Sequence, residues 1–360
     1  MDARPAELTP TDPALSYEEL ELAFRNRGMP LEAMRYDVTP VGLHYLLIHW
    51  DIPEVDTTDS RLQVGGAVEM PMSLSLPDLR ARPAATHVVT MECAGNGRAL
   101  LSPRPEGQPW LNEAIGTAEW TGAPLRRVLD EAGLSRDAVE IVFTGADVGI
   151  QGEVRQEYQR SLSVEDAMRD EVLLAYEMNG RPLEPQHGAP LRLLVPGWYG
   201  MQSVKWLVRI EAVTEPFDGY QQSVAYHFQS DEADPGTTVS RMEPRALMIP
   251  PGITDYPARR RYVEEPGPVA LRGRAWSGHA PVVRVEIGID GVWSEATLDE
   301  PIGPYAWRGW RFAWNATPGT HTLSCRATDR AGNVQPVDQP WNVQGMSNNL
   351  IQTIVVEVKR

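Results

Sequence analysis

Cysteine is nearly absent from this chain: its 360 residues include only two, Cys93 and Cys325. They stand far apart in segments of different texture, which excludes a disulfide framework. No stretch approaches the roughly 20 consecutive apolar residues needed to cross a bilayer. The longest apolar run, residues 41–50, is broken by glycine and histidine. The opening MDARPAELTP has neither a basic nor an apolar segment, so no secretory signal is read. A cytoplasmic location is therefore expected, or a periplasmic one if a leader has been removed. Basic residues are the minority, 33 against 49 acidic, for a net charge of −16. That excludes the basic face of a nucleic-acid binder. It suits a basic partner such as a small electron carrier, and equally a solubilising surface. Internal repeats, low-complexity tracts and a Cys-x-x-Cys-His haem site are also absent from the sequence.

What is present divides in two. Length alone predicts about two domains of ~100–200 residues each, and 42% apolar residues suffice for packed cores. Ser16-Tyr17-Glu18-Glu19 is a capping box that opens a helix ending near Gly28. A second helix is read from Thr121, with Leu125, Val128 and Leu129 on one face and Gly133 as its stop. Ser163 caps a short third. Strands are read at 86–91, 139–144, 171–176, 191–195 and 204–212, and Asn179-Gly180 is a hairpin turn. Residues 1–240 thus form an α+β domain. Residues 244–268, rich in proline, glycine and charge, read as a connector. Beyond it Val283, Val285, Ile287 and Ile289 alternate with polar residues, as do Trp310, Phe312 and Trp314, and Leu323, Cys325 and Ala327. Turns recur about every ten residues, so 241–360 is read as an immunoglobulin-like β-sandwich, with Cys325 in its core. Trp293, Trp307 and Trp310 are either an exposed aromatic interface or core.

The densest chemistry is Glu92-Cys93-Ala94-Gly95-Asn96-Gly97-Arg98, at the end of an apolar strand. Small residues after the cysteine make a tight loop that a ligand can approach closely. Arg98 favours the thiolate, which is the form that binds metals. A cysteine nucleophile paired with His187 is an alternative, as is a buried structural thiol.

Cys93-Ala-Gly-Asn with a following arginine resembles the molybdenum-ligand loop of the sulfite oxidase family of molybdopterin enzymes. Residues 114–125, Leu173-Leu-Ala-Tyr-Glu-Met-Asn-Gly-Arg-Pro-Leu183, His187-Gly-Ala-Pro-Leu-Arg192 and the run from Val195 to Leu207 resemble successive segments of that family. Ala275-Trp-Ser-Gly278 and Trp341-Asn-Val-Gln-Gly345 are similar to its dimerisation domain. The resemblance implies a molybdenum pyranopterin cofactor, with Cys93 as the protein ligand to the metal. It implies that Tyr45, His49, Asp147, His187, Arg192, Ser203, Val204 and Lys205 hold the pterin and its phosphate, Arg192 and Lys205 supplying the cations. Tyr226, Arg98 and Trp110 are implied at the substrate side, Tyr226 as a proton donor. It further implies a homodimer, a small sulfur-containing substrate such as sulfite or an S-oxide, and an external electron carrier, a basic cytochrome c being one such.

The family pattern breaks where anion-binding arginines are expected: Leu47 and Gln344 occupy two such places, and Gly97 interrupts an arginine pair. Arg35 and Arg155 are other sources of that charge. Two lost charge-assisted hydrogen bonds, at ~1.5–3 kcal/mol each, disfavour a small dianion. Two further classes make distinct predictions. A cofactor-free interaction protein would contain no molybdenum, and a Cys93–His187 hydrolase would be alkylated rapidly without metal.

Overall fold

The structure, a computed structural model, describes residues 15–231 and 233–360. Residues 1–10, on which the expectation of no secretory signal rests, lie outside the described residues. The first helix, Tyr17–Arg25, has the reciprocal Ser16–Glu19 capping bonds. It ends short of Gly28 because Asn26 turns extended and bonds both the Leu22 carbonyl, at 3.0 Å, and Gln108, at 2.9 Å. The second helix does not begin at Thr121. Residues Ile115–Pro124 continue as a strand, and the helix runs Leu125–Ala132. Proline, lacking an N–H and with φ preset, suits that junction. Gly133, at φ +69, closes the helix in the left-handed region.

Two larger sheets build the first domain, beside a two-stranded pairing of His227–Phe228 with Thr237–Thr238. One runs in the order Met72–Ser75, Arg61–Gly66, Leu207–Val213, Glu140–Gln151, Val154–Ser163, and only its Arg61–Gly66 and Leu207–Val213 pair is parallel. The other joins Ala85–Glu92, Ile115–Pro124 and Leu173–Met178, with Arg181–Pro182 and Arg192–Leu194 both on the last. Asn179 and Gly180 turn that hairpin with φ +52 and +70, the geometry of a type I′ turn. Leu129, Phe143 and Ile210 share the first sheet's core. Trp120, Tyr45 and Cys93 belong to a second apolar cluster on the other sheet.

The second domain is a sandwich. Its four-stranded sheet is ordered Arg245–Met248, Gly267–Trp276, Arg308–Ala316, Thr297–Leu298. The facing sheet is ordered Ile253–Thr254, Arg261–Val263, Gln352–Val358, Gly319–Asp329, Val282–Ile289, Val292–Glu295. Both contribute to one core holding Trp310, Trp314, Leu323, Cys325 and Val356. The connector reading of 244–268 is corrected: three short strands lie there, with prolines between or near the ends of strands, where a missing N–H costs little. The alternation from Val283 is also corrected. A bulge after Val282 turns Val282 inward and leaves Val283 exposed. Trp307 and Trp310 are wholly buried, so they are core and not an interface, and Trp293 lies half-buried under Arg326. A fourth cluster, including Met34, Tyr199, Met242, Trp276 and Trp307, draws on both domains.

Candidate active site

Cys93 follows the last residue of a strand whose final four side chains are buried. Its N–H donates to the Ala114 carbonyl and its own carbonyl accepts from Asn96, both at 2.9 Å. Gly97 sits at φ +87, and a Cβ there would come within 2.9 Å of the Asn348 amide. Glycine suits this backbone, where a side chain would be strained and crowded. The Cys93 side chain ends where two cavities meet, and Leu47, His49 and Tyr226 also line both.

The inner cavity gathers Tyr45, His49, Asp147, His187, Arg192, Ser203, Val204 and Lys205, which stand up to 160 positions apart in sequence. Among the described residues, neither Arg192 nor Lys205 meets a carboxylate within ion-pair distance. Arg192 donates to the carbonyls of His187 (3.0 Å) and Ser203 (2.9 Å), and Lys205 to that of Leu47 (2.7 Å). Burial lowers Arg192 to about 10. Burial, helped by Arg192, lowers Lys205 to about 7. His187 falls to about 3 through burial and its neighbours His44 and Arg192. Asp147 rises to about 6 through burial, against the pull of Lys205. Arg192 also lies over the Trp120 ring and Lys205 over that of Trp206, and two enclosed cations with no carboxylate at ion-pair distance suit an anion that is not part of the chain.

The outer cavity holds Arg98 and Trp110. Arg98 donates to the carbonyls of Gln344 (2.8 Å) and Gln108 (3.2 Å) and to the Met346 sulfur (3.5 Å). Four amides, Asn26, Gln108, Gln151 and Gln344, face an apolar wall that includes Leu22, Leu47, Ile48, Val224 and Met346. Arg35 and Arg155 are exposed and line neither cavity. Tyr226 holds a left-handed φ of +56, a strained conformation for a side chain of its size. Burial and then Cys93 push its phenol up to about 12, so it is a neutral donor at ordinary pH.

The thiol corrects one expectation. Arg98 does pull Cys93 toward the thiolate, as do the Gly95 N–H and Trp110, but burial outweighs all three and the pKa rises. The cysteine-hydrolase reading fails on the same ground. An imidazole near 3 cannot take a proton from a thiol pushed up by burial. Several residues beside the site carried no expectation. His44 stacks on Tyr45 with ring centroids 5.1 Å apart, and Gln151 bonds the His49 ring at 2.9 Å. Tyr158 and Arg160 are both buried, Arg160 with its guanidinium 5.5 Å from the Tyr226 ring. An arginine two places from a tyrosine, on the inward register of a strand, was the available signal.

Comparison with known proteins gives this geometry its context. Residues 49–221 match the oxidoreductase molybdopterin binding domain, and residues 253–359 match the Mo-co oxidoreductase dimerisation domain. The chain belongs to the sulfite oxidase family of molybdenum-dependent oxidoreductases. It is 35% identical to mitochondrial sulfite oxidase of Mus musculus over 339 residues, 89% of this chain and 62% of that protein. Against sulfite oxidase of Gallus gallus it is 35% identical, covering 86% of this chain and 71% of the relative. It is 31% identical to NADH nitrate reductase of Solanum lycopersicum, of which it spans 39%. The chain therefore spans under two thirds of the mouse enzyme and well under half of the nitrate reductase. A solved structure, the sulfane dehydrogenase SoxCD from Paracoccus pantotrophus, superposes with a TM-score of 0.78 at 25% identity. That match covers 100% of this chain and 96% of the other.

The residues fit the family's cofactor. Among the described residues no three His, Cys, Asp or Glu side chains gather as a metal cage, and a metal held by Cys93 would need ligands supplied by a cofactor. The unpaired Arg192 and Lys205 suit a phosphate, and neutral His49 and His187 suit ring hydrogen bonds. The buried Trp110 N–H is directed at the Cys93 sulfur, where it favours the thiolate that a metal needs.

Proposed function

We propose that this oxidoreductase acts on an organic sulfur oxide of low charge, reducing it to the sulfide with two electrons from an external protein and two protons, the oxygen leaving as water. The observation that supports this is the outer cavity, whose polar lining is one guanidinium, the Glu106 carboxylate and four neutral amides, with Leu47 and one of those amides, Gln344, at positions where cations were expected. A dianion such as sulfite would lack its counter-charges there, whereas an S=O dipole with a carbon substituent finds a donor and an apolar wall.

The molybdenum cofactor, when bound through Cys93, supplies two-electron oxygen-atom transfer. Arg192, Lys205 and Ser203 would hold its phosphate side, and Tyr45, His49, Asp147 and His187 its rings. On the other side Arg98 orients the substrate. Its contact with the Met346 thioether is a weak one, which an incoming oxygen replaces at little cost. Tyr226 holds a proton at its phenolic oxygen and delivers it toward the departing oxygen. Trp110 and Leu47 exclude water. The net charge of −16 suits a basic electron carrier, and the dimerisation domain a homodimer.

The test is a substrate panel on molybdenum-loaded protein with a dye as electron donor or acceptor, comparing alkyl and aryl sulfoxides, N-oxides and sulfite. A kcat/KM for a sulfoxide at least tenfold above that for sulfite is expected. A sub-micromolar KM for sulfite with ordinary turnover would overturn the reading.

A further inference from the structure

Glu92 stands one residue before Cys93 and is fully enclosed. Its carboxylate is held from the second domain by two residues that face each other across neighbouring strands, Arg245 and Trp276. Arg245 Nη1 donates to Oε1 at 2.8 Å and Trp276 Nε1 to Oε2 at 2.7 Å. Asn96 Nδ2, from the Cys93 loop itself, also donates to Oε1 at 2.9 Å. Arg245 continues to the Asn112 side chain at 2.7 Å and the Asn348 carbonyl at 2.8 Å. Three further bonds tie the loop to the chain's last segment: Ser347 N–H to the Ala94 carbonyl, Asn348 to the Gly97 carbonyl and Arg98 to the Gln344 carbonyl.

Both ends of the Glu92–Arg245 pair are 1% exposed. A buried ion pair loses most of its attraction to desolvation, and an apolar pair of similar volume is commonly as stable or more so. Stability is thus a poor account of this one. What the pair does fix is direction. With both oxygens engaged and the next peptide N–H bound to Ala114, neither the Glu92 side chain nor the peptide leading to Cys93 can rotate.

We propose that Glu92 is a positioning residue, through which Arg245 and Trp276 of the sandwich domain set the direction in which Cys93 presents its sulfur to the metal. The second domain then does more than dimerise: it holds the metal ligand in register. This inference rests on the family's molybdenum cofactor being bound at Cys93.

The experiment compares wild type, E92Q/R245Q, E92L/R245M and W276F, each produced in a cofactor-competent host. Thermal melting, molybdenum per chain, the thiolate-to-molybdenum absorption band and the Mo(V) paramagnetic resonance spectrum are measured on each. E92L/R245M, which removes the charges with little change in volume, is expected to melt within a few degrees of wild type. It should carry at least threefold less molybdenum and show a shifted band and spectrum. E92Q/R245Q keeps hydrogen-bonding groups at both positions and should recover much of the wild-type spectrum. W276F, losing one bond, should shift the spectrum less than E92L/R245M. A folded E92L/R245M with full molybdenum and an unaltered spectrum would overturn the proposal. If E92L/R245M does not fold, an unaltered W276F spectrum overturns it instead. Wild-type protein without molybdenum would overturn the cofactor reading beneath, an outcome distinct from any of these.

Discussion

Lys205 offers a separation of stability from function that can be measured on the cofactor-free protein. Its ammonium is held near 7, against an ordinary value of 10.5, by burial and by Arg192, with Asp147 opposing. At about 1.4 kcal/mol per pH unit, that gap corresponds to an upper limit of about 5 kcal/mol of native-state penalty at neutral pH. The side chain is partly open to the cavity, and screening there reduces the figure to about 2–3 kcal/mol. The sign follows from proton counting. Folded Lys205 releases its proton near pH 7, while the unfolded chain keeps its own to about pH 10, so unfolding takes up a proton throughout that window. Wild-type stability therefore climbs with pH from about 7 to about 10. Lys205→Met removes the penalty and two bonds to carbonyls, those of Leu47 and Gln186, which can turn to water in the cavity. Denaturant unfolding of cofactor-free protein should show the variant more stable by about 1–2 kcal/mol at pH 7, with the advantage gone by pH 10. The same variant should fail to retain cofactor. A K205M protein less stable than wild type at pH 7, or a difference that does not change with pH, would refute the reasoning.

Other substitutions probe the remaining groups. Cys93→Ser should leave the melting temperature within a few degrees while abolishing the thiolate–molybdenum absorption and lowering turnover at least ~100-fold, read by spectroscopy and kcat. Tyr226→Phe should keep full molybdenum content and lose about 10–100-fold in kcat, since it removes the proton donor together with its bond to Tyr158. Leu47→Arg restores a cation at the junction of the two cavities. One charge-assisted bond of about 1.5–3 kcal/mol should lower KM for sulfite by at least tenfold, and an unchanged KM would show that Leu47 does not set the charge preference. Trp310→Ala empties a wholly buried site in the sandwich core and should cost about 3–5 kcal/mol in chemical denaturation.

Local features were legible where one residue type does one job. Ser16 with Glu19 marked a helix start, Asn179-Gly180 a hairpin and Gly133 a helix end, because each follows from backbone geometry within a few residues. The alternating apolar strands near 310 and 323 announced a sandwich, since a half-buried strand repeats every two residues. The cofactor side of the site was legible through resemblance, and the structure gathers those residues around one cavity. What escaped was set by distance or by a local irregularity. The bulge after Val282 shifts the inward face by one residue without a distinctive residue type to announce it. Glu92 and Arg245 are 153 positions apart, and a carboxylate beside a cysteine reads no differently from any surface glutamate. Residues 244–268 read as connector because proline and glycine are abundant between short strands as well as in linkers.

The two cavities that meet at Cys93 carry opposite solutions to one electrostatic problem. On the inner side the chain keeps two cations buried without carboxylate partners, at a cost visible in the depressed values of Arg192 and Lys205. Such a cost persists only where a bound anion offsets it, as a cofactor phosphate does. On the outer side the chain does the reverse: among the described residues that line it Arg98 is the only arginine or lysine, set among the Glu106 carboxylate, four amides and aliphatic and aromatic groups. A permanent ligand can sustain buried charge because it stays. A substrate that must arrive and leave is better served by neutral groups when it is itself neutral, since each unpaired cation would then be desolvated at every turnover. The contrast between the sides, more than any one substitution, argues that Leu47 and Gln344 reflect the charge of the substrate and not a weakened site for sulfite.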